Sequence, residues 1–367
     1  MSPTVPVPSQ LRERIGRDVD RAYRRSRNGL RYAAGSARPK IGPTPKDVVW
    51  KRDKAEVWRY RGTTPVEWAP PVLVVHSLVS RSYVLDLYKG NSAVQFFLDA
   101  GLDVLLLDWG IADEVEAQNT LETYVDEYLP RAVEGACEAT GSDEITILGY
   151  CFGGVLSLMS AARHPEMPIR NLMVMATPID YNHMPGMTGL LKDGKVQVEE
   201  LFDDTGNVPP EALESSFRIL KPTAEFTQYA NLWQNLWNDQ WVEGYQAMNQ
   251  WAGDHVPFPG AAFKQVAEQL LTNNGFVEGT LRLGGRDVDL GAITCPTLSI
   301  VAERDHIVPI DAATPLPGLL TGTEAEELRL NAGHVGLVAG RQAAKVTLPA
   351  IVQWIKDHSD RVGEDDE

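Results

Sequence analysis

The sequence predicts an α/β fold in which a mostly parallel central sheet is interrupted by a large inserted segment, which we call the cap. Short segments rich in Val, Ile and Leu alternate with longer segments whose apolar residues have helical spacing, and this alternation is typical of strand–helix–strand units. The alternation stops after residue 178 and returns near residue 297. Before the interruption, a cysteine flanked by glycines lies between a predicted strand and a predicted helix.

The composition is that of a folded protein whose charge is unevenly distributed. The 367 residues are 43% hydrophobic and 23% charged, which excludes a disordered or fibrous chain. The 34 basic and 50 acidic residues give a net charge of −16, which argues against a nucleic-acid binder. Residues 1–54 nevertheless carry a net charge of +9, and the rest of the chain carries −25. A basic N-terminal segment therefore precedes an acidic body.

Cysteine content and targeting signals bear on the cellular location. Three cysteines do not make a disulfide framework, and neither a signal-peptide pattern nor a run of 18 apolar residues occurs in the sequence. We therefore expect a cytoplasmic protein without a membrane span. Neither the CxxC and HExxH spacings of metal sites nor a phosphate-binding GxxxxGK[ST] occurs, so we expect no metal.

Residues 1–45 are predicted to form a basic arm and a linker. Within 9–34, apolar residues recur at helical spacing between many arginines, for example Ile15, Val19 and Tyr23. One interpretation is an ordinary solvated amphipathic helix; the other is a helix that docks on a partner or an anionic surface. Several Gly and Pro residues predict a linker over 35–45.

The remaining elements divide into a core, the cap and a tail. In the first part of the core, residues 46–178, we predict strands at 72–76, 103–108, 144–149 and 171–177 and helices at 92–100, 121–140 and 153–163. The cap, residues 179–290, carries Pro, Gly and Trp in irregular order. In the second part of the core, residues 291–358, we predict strands at 297–302 and 327–330 and a helix at 346–357. Residues 359–367 are an acidic tail.

The strongest motif is the segment Gly-Tyr-Cys-Phe-Gly-Gly at 149–154. It follows an apolar strand and opens an apolar helix, which is the context of a nucleophile elbow. The small residues Gly149 and Gly153 permit the sharp turn. The elbow would present Cys151 at the N-terminus of the helix, whose dipole favours the thiolate. The N–H of Phe152 would be one donor of an oxyanion hole.

A thiol nucleophile requires a base and an orienting acid, and both follow the cap. In α/β-hydrolases the chain order is nucleophile, acid, histidine. Asp305 follows the strand predicted at 297–302, and we predict it as the acid; Glu303 and Asp311 are rival carboxylates. His334 lies in a glycine-flanked loop after the strand predicted at 327–330, and we predict it as the general base.

Other histidines and cysteines are assigned lesser roles. The loop His76-Ser77-Leu78 follows a predicted strand and is expected to supply the second oxyanion N–H, with His76 in a positioning role. His306 adjoins the predicted acid and is a candidate pocket residue. Nothing in the sequence near the remaining histidines favours a function; they are His164, His183, His255 and His358. Cys137 and Cys295 are interpreted as structural.

The elbow resembles those of two families, the dienelactone hydrolases, which are short and lack a cap, and the polyhydroxyalkanoate synthases. The stretches that resemble the synthases are 76–79, 83–87, 97–110, 236–245, 251–260, 295–296, 305–309 and 333–336. The resemblance spans roughly residues 45–358, and its cap stretch is specific to the synthases. Ala332 is a departure, because the family often has glycine there. The chain length resembles that of the short, two-component synthases.

The resemblance implies polymerisation of (R)-3-hydroxyacyl-CoA, with 3-hydroxybutyryl-CoA as the expected substrate, into a polyester with release of coenzyme A. In that reaction Asp305 would either orient His334 or help to activate the 3-hydroxyl group. A cysteine nucleophile fits thioester substrates, because the entering and leaving sulfurs are alike. No cofactor is implied, since the substrate carries coenzyme A. The implied partners are the growing polyester, a second synthase subunit and a second copy of the chain, at polyhydroxyalkanoate granules. Arg81, Lys89, Arg282 and Arg286 are candidate cations for coenzyme A entry.

Two alternatives remain open from the sequence alone. The first is an acyl-CoA thioesterase or a dienelactone-type cysteine hydrolase, although the long cap counts against the latter. The second, from another class, is a catalytically inactive scaffold that binds granules. The presence of Cys151, Asp305 and His334 in the expected order argues against it.

Overall fold

The computed structural model describes residues 9–35, 39–184, 197–219 and 231–363. Its centre is a nine-stranded sheet in the order β1-β2-β6-β3-β7-β8-β11-β12, with β13 pairing with β3. Two further pairs, β4–β5 and β9–β10, form separate two-stranded sheets. In chain order the strands are β1 Lys46–Arg52, β2 Ala55–Tyr60, β3 Trp68–Val75, β4 Asp86–Tyr88, β5 Asn91–Ser92, β6 Leu102–Asp108, β7 Ile145–Tyr150, β8 Ile169–Met175, β9 Arg282–Leu283, β10 Arg286–Asp287, β11 Thr297–Ala302, β12 Ala325–Leu330 and β13 Asp360–Arg361. From β6 to β12 all neighbouring strands are parallel.

Helices cover both faces of the sheet. They are α1 Ser9–Ala33, α2 Ala93–Asp99, α3 Leu129–Thr140, α4 Phe152–Arg163, α5 Pro210–Ile219, α6 Asp239–Ala252, α7 Gly260–Gln265, α8 Ile310–Ala313, α9 Leu316–Leu319, α10 Gly340–Gln342 and α11 Leu348–Asp357. Short 3₁₀ turns occupy Ser82–Leu85, Glu116–Gln118, Tyr181–His183, Val198–Leu201, Leu290–Ala292 and Val335–Leu337, and π-helical turns occupy Thr123–Tyr128, Val266–Thr272 and Ala343–Thr347.

The core consists of two apolar layers because alternate residues of each strand point to opposite faces of the sheet. One layer joins Leu73 and Val75 of β3 and Ile147 of β7 to α3 and α4. The other joins Val72 and Val74 of β3 to α2 and α11. The central strands are apolar on both faces, which is why the sequence shows them as short continuous Val/Ile/Leu segments rather than as alternating patterns.

The structure differs from the predicted elements at three places. Strands β1 and β2 form an antiparallel hairpin at the sheet edge that the sequence analysis did not predict. The helices predicted at 121–140 and 346–357 are present, but π-helical turns at Thr123–Tyr128 and Ala343–Thr347 directly precede α3 and α11. The predicted helix 9–34 corresponds to α1, and the other predicted strands and helices agree with the observed ones within a few residues.

Residues 179–290 lie between β8 and β11, and their described part contributes no strand to the large sheet. Their longest described helix is α6. Parts of the predicted segments lie outside the described residues: 1–8 and 36–38 of the arm and linker, 185–196 and 220–230 of the cap, and 364–367 of the tail. Within the described part of the chain, no helix is long and apolar enough to cross a membrane.

The basic helix α1 packs against the cap of its own chain. The Arg27 guanidinium lies 2.5 Å from the Asp239 carboxylate, and the Asn28 amide donates to the carbonyl of Leu236. The Arg21 guanidinium stacks over the ring of Trp237, with its carbon 4.6 Å from the ring centroid. Charge–charge and cation–π contacts therefore hold one face of α1 to the start of α6.

Candidate active site

Cys151 occupies a strained turn between β7 and α4. Its backbone has φ 56° and ψ −124°, a conformation that residues with a side chain rarely adopt. The turn is fixed by two backbone hydrogen bonds: the Cys151 N–H donates to the Met175 carbonyl at 2.9 Å, and the Gly154 N–H donates to the Cys151 carbonyl at 2.9 Å. The nucleophile elbow predicted from the sequence is thus present as backbone geometry.

The glycines around Cys151 are required by close packing. A Cβ atom on Gly149 would lie 2.5 Å from the Cα of Gly154, and one on Gly153 would lie 2.1 Å from the carbonyl oxygen of Val75. Real Cβ atoms do not come so close to backbone atoms. Glycine at both positions therefore lets α4 start directly behind the turn and against the end of β3.

Asp305 and His334 meet above the neighbouring strands β11 and β12. The His334 Nδ1 atom lies 2.7 Å from Asp305 Oδ2, and both residues are buried. The other carboxylate oxygen, Oδ1, accepts hydrogen bonds from the N–H groups of Ile307 and Val308 at 2.8 and 2.9 Å. The rival carboxylates Glu303 and Asp311 are exposed. The structure therefore brings Asp305, and not its rivals, to His334.

The Cys151 side chain is close enough to the imidazole of His334 to influence its pKa. Since Nδ1 faces Asp305, this leaves Nε2 for the sulfur. Burial alone would lower the pKa of His334, but the negative charges of the Cys151 sulfur and Asp305, with the hydrogen bond to Asp305, raise it to about 10. This environment favours the protonated imidazolium of His334 at neutral pH.

The loop predicted to complete the oxyanion hole lies at the same edge of the sheet as the elbow. It follows β3, which pairs with β7, and its residues His76, Ser77 and Leu78 are all buried. Phe152, whose N–H is the other predicted donor, is the first residue of α4 and is also buried. His306, the candidate pocket residue, is exposed and therefore does not line an enclosed pocket beside His334.

Comparisons with known proteins bear on the fold and the family of the chain. Residues 70–340 match the family model described as the alpha/beta hydrolase fold, which confirms the predicted fold class. Residues 31–97 match the model described as the N-terminus of poly-beta-hydroxybutyrate polymerase (PhaC). A thermophilic esterase from Thermogutta terrifontis has a TM-score of 0.48 at 16% identity, covering 86% of this chain and 99% of that chain.

Curated relatives decide the family. The poly(3-hydroxyalkanoate) polymerase subunit PhaC of Allochromatium vinosum is 36% identical over 319 residues, which cover 86% of this chain and 89% of that protein. This chain belongs to the poly(3-hydroxyalkanoate) polymerase family. The subunit of Thiocystis violacea is 35% identical and covers 87% of this chain and 90% of that protein. That of Haloferax mediterranei is 34% identical, and the match spans 65% of its length.

In this poly(3-hydroxyalkanoate) polymerase family member, the cap closes over the loop that follows β3. The Trp251 indole N–H donates to the Arg81 carbonyl at 2.8 Å, and the Tyr83 hydroxyl donates to Asp254 at 3.0 Å. Ser80 and His255 form an antiparallel bridge. We call these three contacts the cap latch. They place cap residues against the segment 80–83, which follows the predicted oxyanion loop.

Two aromatic residues around the site were missed by the sequence analysis. The ring of Tyr150 lies between those of His76 and His334, with centroid distances of 5.9 and 5.2 Å, and its hydroxyl donates to the His334 carbonyl. The Trp109 indole N–H donates to the His76 carbonyl at 2.7 Å. Tyr150 directly precedes the nucleophile, and Trp109 belongs to the stretch 97–110 that resembles the synthases, so their positions were the available signal.

The candidate cations for coenzyme A entry lie at opposite ends of α4. Arg81 and Lys89 belong to the segment after β3, on the edge that holds Cys151. Arg282 and Arg286 lie in the β9–β10 hairpin, whose carbonyls accept hydrogen bonds from Arg163, the last residue of α4. A helix of twelve residues is about 18 Å long. The expectation for Arg282 and Arg286 is therefore wrong, because they lie at the far end of α4 from Cys151.

Proposed function

We propose that this polymerase family member converts (R)-3-hydroxyacyl-CoA into polyhydroxyalkanoate through an acyl-enzyme on Cys151, with release of coenzyme A. The observation that carries the proposal is the placement of a cysteine, rather than a serine, in the elbow beside the His334–Asp305 pair. Thiol–thioester exchange is chemically balanced because sulfur replaces sulfur. No resident cofactor is needed, since the substrate brings coenzyme A.

In the first step the Cys151 sulfur attacks the thioester carbonyl carbon. The carbonyl oxygen then takes up negative charge. The N–H of Phe152 and an N–H of the 76–78 loop would stabilise this charge, since both follow strands that end at the same edge of the sheet. The bond from carbon to the coenzyme A sulfur then breaks. The departing thiolate takes the proton from His334 Nε2, which leaves the acyl group on Cys151 and the imidazole neutral.

In the second step the neutral His334 accepts the proton of a 3-hydroxyl group. The hydroxyl oxygen of an incoming unit attacks the thioester on Cys151, and the sulfur leaves as the thiolate. The chain, now ended by the incoming coenzyme A thioester, returns to Cys151 by the first step. Both oxygens of Asp305 are engaged, one by His334 and one by two backbone N–H groups. We therefore assign Asp305 to orienting His334 rather than to activating the hydroxyl.

Three further assignments belong to this proposal. The expected monomer is the short 3-hydroxybutyryl unit. The polymer collects in granules in the cytoplasm, with the enzyme at their surface.

The enzyme acts with a second, different subunit and as a dimer, and we assign docking of that subunit to the outer face of α1. The support for this face is its four exposed apolar side chains, which are those of Ile15, Val19, Tyr23 and Leu30.

The test is an assay of coenzyme A release and of polymer from 3-hydroxybutyryl-CoA, with the second subunit present. We expect the native chain to release coenzyme A and form insoluble polymer. Cys151→Ala should reduce turnover at least about 1,000-fold because the nucleophile is lost. Cys137→Ala, which removes a half-buried thiol of α3, is the matched control and should retain activity.

The outcomes separate the alternatives. Coenzyme A release with only free 3-hydroxybutyrate as product would contradict the polymerase assignment and support a thioesterase. Full turnover by Cys151→Ala would exclude every mechanism through this cysteine. Binding of granules without any Cys151-dependent turnover would instead support the inactive scaffold.

A further inference from the structure

We propose that a groove between the cap and the core, separate from the Cys151 turn, binds the growing polyester chain. This inference rests on the proposed function. The groove has a volume of about 790 Å³, which lies within the range of about 300–1,000 Å³ for small-molecule sites. One wall is the cap helix α6 and the residues before it, and the other consists of two core segments, 88–91 and 339–344.

The groove lies on the edge of the sheet that carries the nucleophile. The segment 88–91 continues the connection that leaves β3 beyond the 76–78 loop, and the segment 339–344 follows His334 after β12. The Gly340 N–H donates to the Asn91 side chain at 2.7 Å, which ties the two core segments together. A chain attached to Cys151 would therefore meet a preformed wall after leaving the site.

The lining of the groove is rich in primary amides and poor in charge. Among the described residues, six amide side chains contribute to it, together with Arg341, and no carboxylate does. The amides on the cap side include Asn231, Gln240 and Asn249. Each amide carries N–H donors that can serve a carbonyl oxygen. The rings of Trp241 and Tyr245 stack with centroids 5.2 Å apart and add an apolar surface beside these donors.

This chemistry fits a polyester better than coenzyme A. A poly(3-hydroxyalkanoate) chain is uncharged along its length, its carbonyls only accept hydrogen bonds, and its short alkyl groups are apolar. Amide donors beside aromatic rings match all three properties. Coenzyme A carries several phosphate charges, and Arg341 is the single cation among the described lining residues. We therefore assign the groove to the product and not to the leaving group.

A second cavity extends the path. Its volume is about 160 Å³, and it shares Gly90, Asn91, Gly340 and Ala344 with the groove before continuing along α2. Several ester units could thus be held at once outside the site. Holding the chain keeps its reactive end near Cys151 between additions, which raises the local concentration of that end. The groove should therefore control polymer length more than the first acyl transfer.

The test uses the full chain with Cys151→Ala, so that the probe is not turned over. The probe is a linear tetramer of (R)-3-hydroxybutyrate with its carboxyl group methylated, and its binding is measured by titration calorimetry. Ala344→Trp places an indole in the groove from an exposed helical position and should weaken binding at least about tenfold. The matched control is Lys345→Trp, an exposed neighbour that does not line the groove, and it should bind like the parent.

In the active chain, Ala344→Trp should shorten the polymer relative to Lys345→Trp. Equal tetramer affinities in the two variants, no tetramer binding at all, or displacement of the tetramer by coenzyme A would each overturn the assignment. Failure of the proposed function looks different. In that case the tetramer still binds and Ala344→Trp still weakens it, but the native chain makes only free acid.

Discussion

Each oxygen of the Asp305 carboxylate has its own set of donors, and this division sets the position of His334. Two backbone N–H groups hold Oδ1, so Oδ2 can face only the imidazole. On the other side, the Tyr150 hydroxyl holds the His334 carbonyl, and the Tyr150 ring packs against the imidazole. The histidine is therefore restrained from both sides, while the Cys151 side chain lies close enough to influence its pKa.

His76 should make the protein sensitive to acid. Burial lowers its pKa from 6.5 to about 4, so between these values the unfolded chain binds a proton that the folded chain does not. The contribution of His76 to the free energy of unfolding is therefore fully present above pH 6.5. It falls by about 3 kcal/mol in all as the pH drops towards 4. His76→Gln should remove this loss. Urea denaturation at several pH values from 7 to 4 measures it.

The control for this prediction is His306→Gln, because His306 is exposed. Its free energy of unfolding should follow the native chain at every pH. If His76→Gln and the native chain lose stability in parallel between pH 6.5 and 4, burial of His76 does not have the assigned effect.

At the scale of single residues, the sequence identified the three side chains that the structure brings together, because chain order and glycine spacing carry that information. It did not identify Tyr150 as a support of His334. That role depends on a contact between residues 184 positions apart in the sequence, which leaves no local pattern. The placement of Arg282 beside the site was wrong for the same reason. The fold brings Arg282 to the end of α4 that is far from Cys151, and local sequence does not show this.

Among the elements, the cap latch is the contact that joins the cap to the core segment just after the predicted oxyanion loop. Its hydrogen bonds join Trp251 and Asp254 of the cap to Arg81 and Tyr83 of the core. Phe258 of the cap packs edge-on against Phe152, with centroids 5.5 Å apart, directly beside the nucleophile. In the proposed acyl-enzyme this cover would limit the access of water, and exclusion of water is what separates polymerisation from hydrolysis.

Trp251→Phe should loosen the cap latch while keeping an aromatic ring in place. Loss of the indole N–H removes one hydrogen bond, worth about 1 kcal/mol. We expect a larger fraction of free 3-hydroxybutyrate among the products, measured by chromatography after complete conversion of 3-hydroxybutyryl-CoA. Trp354→Phe is the control. The indole N–H of Trp354, on α11, donates a hydrogen bond to Glu326 on β12, away from the cap. Equal free-acid fractions in both variants would contradict a water-excluding role.

The predicted elements were most accurate where burial dominates. Strands β3, β6, β7, β8 and β11 are apolar on both faces, so composition alone locates them. The β1–β2 hairpin was missed because β1 lies at the sheet edge and its exposed positions include Asp47, Val48 and Lys51, which hide any alternation. The π-helical turns were not distinguished from α-helix, because apolar periodicity indicates a helical segment but not its hydrogen-bond pattern.

For the whole molecule, the arm is the part whose interpretation changed most. The sequence left open whether residues 9–34 form a solvated helix or a docking helix. The structure shows that one face of α1 is already occupied by the cap, through Arg21, Arg27 and Asn28. The opposite face exposes Ile15, Val19, Tyr23 and Leu30, each more than half exposed. A contact across more than 200 residues could not be predicted from local spacing.

Ile15→Ser combined with Val19→Ser should weaken binding of the second subunit without disturbing the cap. Both side chains lie on the exposed stripe and away from the Arg21, Arg27 and Asn28 contacts. We expect at least about a tenfold loss of affinity in a pull-down titration, since two apolar contacts are removed. Gln10→Ser, an exposed polar change in the same helix, is the control. Unchanged affinity of the double variant would contradict docking on α1.

With the cap on one side of α1 and the proposed second subunit on the other, the two contacts would obey thermodynamic reciprocity. If the partner binds α1 more tightly when the cap is open, then substrate that holds the cap open raises the affinity for the partner by the same factor. The salt link between Arg27 and Asp239 lies between the two sites and is half-exposed, so added salt screens it. Ionic strength would then change the thermodynamic coupling between binding of the second subunit and binding of substrate.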